Sequence, residues 1–281
     1  MGKKILVTGA NGQLGSDIIK VLLKQGYDTL GVDIDEMNLC HANRIKEVLT
    51  YENPDVIIHC GAFTDVERAE GLLEACMLIN ASATRDIADY AKQADIPMIY
   101  ISTEYIFDGQ SEEPYCEDDL PNPPNVYGHS KLQGEIYVKE LLDKYFILRT
   151  SWLFGANGRN FIKTMLNLST KHDVIDVVND QFGSPTFTAD IAALLPEIIE
   201  SNKYGTYHVT NDGFCSWAEF AKEVFRIAKV NVYVNEVPTF GIATRAARPL
   251  NSRLAKKKLK AAGFTMLPSW QNAVTRFLGG E

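Results

Sequence analysis

Residues 3 to 26, "KKILVTGANGQLGSDIIKVLLKQG", constrain the fold of this chain more than any other stretch. An apolar run ending in "VTG" reads as a buried strand. Behind it Leu14, Ile18, Ile19, Leu22 and Leu23 recur at helical spacing until Gly26 stops the helix. Between strand and helix lie Gly9, Gly12 and Gly15 as GxxGxxG. Glycine permits a tight turn and a close approach of backbone to a pyrophosphate, and the free N–H groups and positive dipole of the helix start attract its charge. Strand, glycine triplet and helix in this order point to nucleotide binding. Asp33, ending the second strand 18 residues after Gly15, suits hydrogen bonds to a ribose hydroxyl.

The same alternation continues. "DTLGVD", "PDVIIHC", "PMIYIST" and "YFILRTSW" read as strands two to five, separated by a helix at "ANRIKEVLTYE" and a long one over residues 68–94. This is the pattern of a Rossmann-type, doubly wound parallel α/β sheet. Past Trp152 the rhythm loosens. Helices "FIKTMLNLST", "TADIAALLPEIIES" and "SWAEFAKEVFRIAK" mix with strands "VIDVV", "GTYHV" and "NVYVNEV". The expected division is a dinucleotide-binding domain over 1–151 and a smaller C-terminal α/β substrate region over 152–281, part of it packing back on the first domain. The ligand cleft is expected between the two.

Composition limits the function. The apolar runs are too short to span a bilayer, and the strand begins at once without a signal-peptide core, so a cytoplasmic protein is expected. The five cysteines are scattered and form no CxxC pair, against a zinc site or disulfide frame. A net charge of −8 argues against a nucleic-acid surface.

Two further segments carry chemistry. "ISTEYIFDG" puts Ser102 and Thr103 at the end of strand four, where such a sheet holds its ligand. "NPPNVYGHSKLQGE" runs from Pro123 and Pro124 into Tyr127 and Lys131; four residues apart on a helix, phenol and ammonium share one face. An ammonium beside a phenol favours phenolate, so Lys131 is expected to lower the Tyr127 pKa toward working pH for proton transfer.

With the glycine loop, the strand-four hydroxyls and YxxxK in place, the chain resembles the extended short-chain dehydrogenase/reductases. The segments "TGANGQLG", "DVIIHCGAFTDVERAE", "ISTEYIFDG", "VYGHSKLQGE", "LRTSWLFG", "DQFGSPTFTADIA" and "RPLNSRL" are similar, in order, to one branch, the dTDP-4-dehydrorhamnose reductases. The resemblance implies reduction of the C4 ketone of dTDP-4-dehydro-6-deoxy-L-mannose to dTDP-L-rhamnose with NADPH or NADH. It implies Thr103, Tyr127 and Lys131 as the catalytic set. Gly9, Asn11, Gly12, Gln13, Leu14, Gly15, Asp33, Cys60, Gly61, Ala62 and Ser102 would join Tyr127 and Lys131 around the cofactor. Thr64, Val66, Thr103, Glu104, Tyr105, Trp152, Arg248 and Asn251 would face the nucleotide-sugar. His41 and Arg44 stand where they can move toward a 2′-phosphate.

The chain departs from the family at two places. Glu104 stands where relatives usually have Asp, and Asp17, Ala189 and Asp190 stand where some relatives carry metal-binding glutamates at a dimer interface, so no metal is expected. A monomer or homodimer is expected. The alternatives are an NAD-retaining nucleotide-sugar epimerase or dehydratase, and a non-catalytic regulatory subunit of the same fold.

Overall fold

The computed structural model describes residues 2–241 and 244–280. Its first part runs β1 (Lys4–Thr8), α1 (Gln13–Lys24), β2 (Asp28–Val32), α2 (Ala42–Glu52), β3 (Val56–His59), α3 (Val66–Ala69), α4 (Leu73–Met77), α5 (Ala83–Gln93), β4 (Met98–Thr103), α6 (Val126–Leu141) and β5 (Tyr145–Thr150). Then come β6 (Leu153–Phe154), α7 (Phe161–Ser169), β7 (Val174–Val178), β8 (Phe182–Gly183), β9 (Thr186–Phe187), α8 (Thr188–Ile199) and β10 (Gly205–His208). The chain continues through β11 (Cys215–Ser216), α9 (Trp217–Ala228), β12 (Tyr233–Val237), α10 (Lys257–Ala261) and α11 (Trp270–Gly279). No helix among the described residues is long and apolar enough to cross a membrane.

Six strands form one parallel sheet in the order β2-β1-β3-β4-β5-β10. Successive strand residues face opposite sides, so both faces are apolar and buried. Ile5, Val7, Ile58, Ile99 and Leu148 pack with Ile18 and Leu22 of α1 and Ile191 and Leu195 of α8. Leu6, Ile57, Met98, Tyr100 and Ile147 pack with Ile45 and Leu49 of α2, Ile87 of α5 and Val138 of α6. The order reverses between β1 and β3, which opens a crevice over the C-terminal strand ends.

The later segment returns to this sheet twice. "GTYH" becomes β10, pairing parallel with β5 from Gly205↔Phe146 to His208↔Arg149, and α8 covers α1. Each buries an apolar surface that β5 and α1 would otherwise expose, an advantage that residue rhythm does not reveal. The remainder is a small α/β unit in which β7 and β12 pair parallel and α7, α9 and α11 enclose an aromatic core of Phe154, Phe187, Phe220 and Trp270.

The helix expected over 68–94 is not continuous. Glu70, Gly71 and Leu72 separate α3 from α4, and residues Leu78–Ser82 form a π-turn before α5. The extra residue in that turn carries Asn80 inward, where its amide donates to Ser130 Oγ at 2.9 Å and to the Phe63 carbonyl at 3.0 Å. A π-turn of this kind often marks a functional site, and Ile79 within it lines the cleft described next.

Candidate active site

The glycine loop forms by close packing. Gly9 has φ +65°, and a Cβ there would lie 2.8 Å from the Gly61 nitrogen; a Cβ on Gly15 would lie 2.2 Å from the Gly9 carbonyl oxygen. Only glycine tolerates both. Gly12 is the N-cap of α1 with no side-chain cap, so the first turn presents its N–H groups to the crevice. Asp33 is held at the rim: its Oδ2 accepts the Asn11 N–H at 2.8 Å and its Oδ1 the Ile34 N–H at 2.9 Å. Arg44 Nε donates to the Glu36 carbonyl at 2.8 Å, beside the Asp33 N–H bonded to the Glu36 carboxylate. His41 caps α2 from an exposed position.

The crevice widens into a cleft of about 790 Å³ that collects residues from both halves of the chain. Gly9, Asn11, Gly12, Gln13, Leu14, Gly15, Asp33, Cys60, Gly61, Ala62 and Ser102 line it, with Thr64, Val66, Thr103, Glu104, Tyr105, Tyr127, Lys131 and Trp152. Asn38, Leu39, Ile79, Thr150 and Arg159 line it too, without any signal in the sequence that singled them out.

Tyr127 and Lys131 reach it because α6 begins where the proline loop ends. Asn125 caps the helix, accepting the Gly128 N–H at 2.8 Å, and the first turn then carries Tyr127. Lys131 is 3% exposed, its Nζ 4.1 Å from the centroid of the Tyr100 ring. Burial draws the Lys131 pKa down to about 7, opposed first by the charge of Glu135. Burial pushes the Tyr127 phenol well above its ordinary value, and the charge of Glu104 adds to this while the Thr103 hydroxyl acts in the opposite sense. The sequence led us to expect the reverse for Tyr127. Desolvation prevails because the buried phenolate would lose its hydration, which disfavours the charged form. The phenol therefore stays protonated, the form an acid must have to give up a proton.

Thr103 donates to Glu104 Oε2 at 2.8 Å and accepts the Tyr105 N–H at 3.2 Å. Glu104 is 4% exposed, and burial raises its carboxyl to about 7. Tyr105 meets the Tyr127 ring edge-on at 5.6 Å. Ser102 points beneath the cleft floor, giving its proton to Glu135 at 2.6 Å. Cys60 is half-buried, and desolvation pushes its thiol up to about 12, so it stays neutral.

Trp152 leaves the strand direction at φ +48° and stacks on Trp217 with centroids 3.6 Å apart and planes 12° apart. Gly183 packs against its other side: a Cβ there would lie 2.5 Å from Trp152 Cε2. The segments "SWLFG", "GSPT" and "RPLNSRL" form one stitched unit. Ser151 Oγ donates to the Ser184 carbonyl at 2.9 Å, the Thr186 N–H to Trp152 at 3.1 Å, and the Phe182 N–H to Leu250 at 2.8 Å.

Arg248 and Asn251 do not line the cleft. Arg248 stands behind it, donating to the Tyr105 hydroxyl at 2.7 Å and to Glu67 at 2.6 Å. Asn251 uses its amide to hold the Ser111 and Glu113 carbonyls, both at 2.8 Å, which fixes a loop. Asp17 accepts from Thr188 at 2.5 Å, and Asp190 accepts from Arg276 and Asn211 at 2.7 Å.

The cradle fits a dinucleotide, and comparison with known proteins agrees. The "RmlD substrate binding domain" family matches residues 3–280. The chain belongs to this family. A dTDP-4-dehydrorhamnose reductase from Aggregatibacter actinomycetemcomitans is 37% identical, over 96% of this chain and 97% of that protein. The crystal structure of the Bacillus anthracis str. Ames dTDP-4-dehydrorhamnose reductase in complex with NADP superposes with a TM-score of 0.97 at 41% identity, covering all of both chains. A Clostridium acetobutylicum structure of the same name gives 0.96 at 37% identity, covering 98% of each. In this RmlD-family chain the glycine loop, Thr103, Tyr127 and Lys131 line one cleft.

Proposed function

We propose that this chain reduces the C4 ketone of dTDP-4-dehydro-6-deoxy-L-mannose to dTDP-L-rhamnose with NADPH or NADH, the last step of dTDP-L-rhamnose synthesis. One observation carries the reading: Thr103, Tyr127 and Lys131 converge on the same cleft that the glycine loop opens, with the Trp152 indole as its apolar wall. The reduced nicotinamide, when bound, supplies the hydride that turns the ketone into an alkoxide.

The protein's own residues do the rest. The α1 N-terminus and the glycine loop hold the pyrophosphate, and Asp33, whose oxygens keep free lone pairs, holds the adenosine ribose. Thr103 holds the substrate carbonyl oxygen and Tyr127 delivers a proton to it as charge develops. Lys131 holds a ribose of the nicotinamide half and biases the Tyr127 proton toward transfer. Glu104 and Tyr105 meet the sugar, and the Trp152 indole, with Trp217 on one face and Gly183 on the other, offers its apolar edge to the deoxy carbon. Arg248 acts from behind, by fixing the Tyr105 hydroxyl.

NADPH oxidation with enzymatically prepared dTDP-4-dehydro-6-deoxy-L-mannose is the test. We expect turnover in the wild-type protein and a fall in kcat of about two to four decades in Tyr127→Phe, with a wild-type circular dichroism spectrum. No net consumption of nicotinamide, or a folded Tyr127→Phe keeping more than about a tenth of the rate, would overturn the assignment.

A further inference from the structure

Glu135 lies on α6 one turn beyond Lys131 and two beyond Tyr127, so the three share a helix face. It is fully buried. Its carboxylate receives Ser102 Oγ at 2.6 Å, Arg149 Nε at 2.9 Å, Arg149 Nη2 at 2.7 Å and Lys139 Nζ at 3.4 Å. Ser102 and Arg149 face one another across β4 and β5, and each directly precedes a residue of the cleft, Thr103 and Thr150. One side chain therefore ties the helix that carries Tyr127 to both strand ends that it must face.

The electrostatic setting points the same way. The titratable groups around Lys131 are Tyr127 and Glu135 from its own helix, His59 and Cys60 from the end of β3, Cys76 from α4 and Tyr100 from β4. Burial holds His59 down at about 3 and Cys60 up at about 12, and raises Cys76 and Tyr100, so all four are neutral near pH 7. Glu135 is the one carboxylate in that set. Arg149 holds its acid below the ordinary carboxylate range despite burial. Its own neighbours are Ser102, Arg149, Lys139, Tyr100 and His208, the last a neutral ring held at about 3 by burial.

We propose that Glu135 is a positioning residue for the reaction: its clamped carboxylate fixes α6 over the ends of β4 and β5 and supplies the charge that keeps the Lys131 side chain an ammonium. This rests on the role given to Lys131 under the proposed function. A neutral residue at 135 takes away the attraction that opposes desolvation, so the Lys131 proton leaves at a lower pH.

The experiment is the pH profile of kcat/KM for NADPH-dependent reduction in the wild type, Glu135→Gln and Glu135→Asp. In Glu135→Gln we expect the alkaline fall to move to lower pH, with activity down more than about tenfold near pH 8 but less than about threefold near pH 6. Glu135→Asp keeps the charge and should keep the wild-type inflection at a lower rate. Glu135→Gln leaves Arg149 buried without its counter-ion and risks misfolding, so Glu135→Gln/Arg149→Met is measured alongside. That pair removes both charges, and an acid shift in the same direction but smaller is expected, because losing the Arg149 charge works the other way. A uniform loss at every pH in the folded variants means a purely structural role and overturns the inference, as does an unmoved inflection in the double variant. Absence of turnover in the wild type would instead overturn the proposed function.

Discussion

Thr103 gives its hydroxyl proton to Glu104 at 2.8 Å, inside a cleft wall where that carboxyl is 4% exposed. Burial lifts the Glu104 pKa from 4.5 to about 7. The folded protein therefore binds a proton here that the unfolded chain releases, and stability is full below about pH 4.5 and lost as pH rises through about 7. Glu104→Gln keeps an acceptor for Thr103 and removes the charge. Its Tm should exceed that of the wild type at about pH 8, by an amount worth on the order of 1–3 kcal/mol, and approach it at about pH 4.5. Thermal melts of both proteins across that range check this; a pH-independent difference would show that Glu104 is ionised throughout.

Lys131 has the opposite sign. Its folded pKa of about 7 lies below the ordinary 10.5, so the folded protein holds fewer protons between these values and its stability rises with pH across that window. Lys131→Met should raise the Tm, more at about pH 6 than at about pH 10, while weakening NADPH binding and lowering the reductive rate. Melting curves paired with fluorescence titration of NADPH separate the two effects. A destabilised Lys131→Met would mean that the ammonium is better solvated than its burial implies.

Gly183 makes room for Trp152. Gly183→Ala places a methyl group 2.5 Å from the indole on the face away from Trp217, so the indole, already stacked on Trp217, must shift within the cleft wall. Overpacking of this kind typically costs about 1–3 kcal/mol. If the indole is the wall for the sugar, KM for the nucleotide-sugar should rise about tenfold or more while NADPH affinity stays within about twofold, because the glycine loop lies elsewhere in the cleft. Steady-state kinetics with each substrate varied in turn would reveal it, and an equal change in both would place Trp152 outside the sugar site.

Cofactor choice should be mild. Asp33 favours a free 2′-hydroxyl, and Arg44, in the first turn of α2, is anchored by Nε to the Glu36 carbonyl and keeps Nη2 as a further donor beside its Nη1 contact with Glu47. We expect NADPH and NADH to differ by less than about a thousandfold in kcat/KM. Arg44→Ala should reduce the preference for NADPH and Asp33→Asn increase it. Competition between the two coenzymes in single assays measures both, and an Arg44→Ala protein with an unchanged ratio would remove Arg44 from the pocket.

The sequence by itself determined the parallel sheet through β5, the glycine loop, Asp33 and the pairing of Tyr127 with Lys131, because all of these depend on local spacing: period two in strands, period 3.6 in helices, and glycine where a Cβ clashes. It marked "SWLFG", "GSPT" and "RPLNSRL" as motifs but not as neighbours. Only the tertiary structure showed that Gly183 seats Trp152, that Asn251 staples a loop away from the cleft, and that "GTYH" completes the first sheet. Those facts arise from contacts between distant segments, for which periodicity carries no information. The same holds for protonation. Spacing places Lys131 and Tyr127 on one helix face, but the pKa of each follows from how much water the rest of the fold removes, and here desolvation is the largest cause for both.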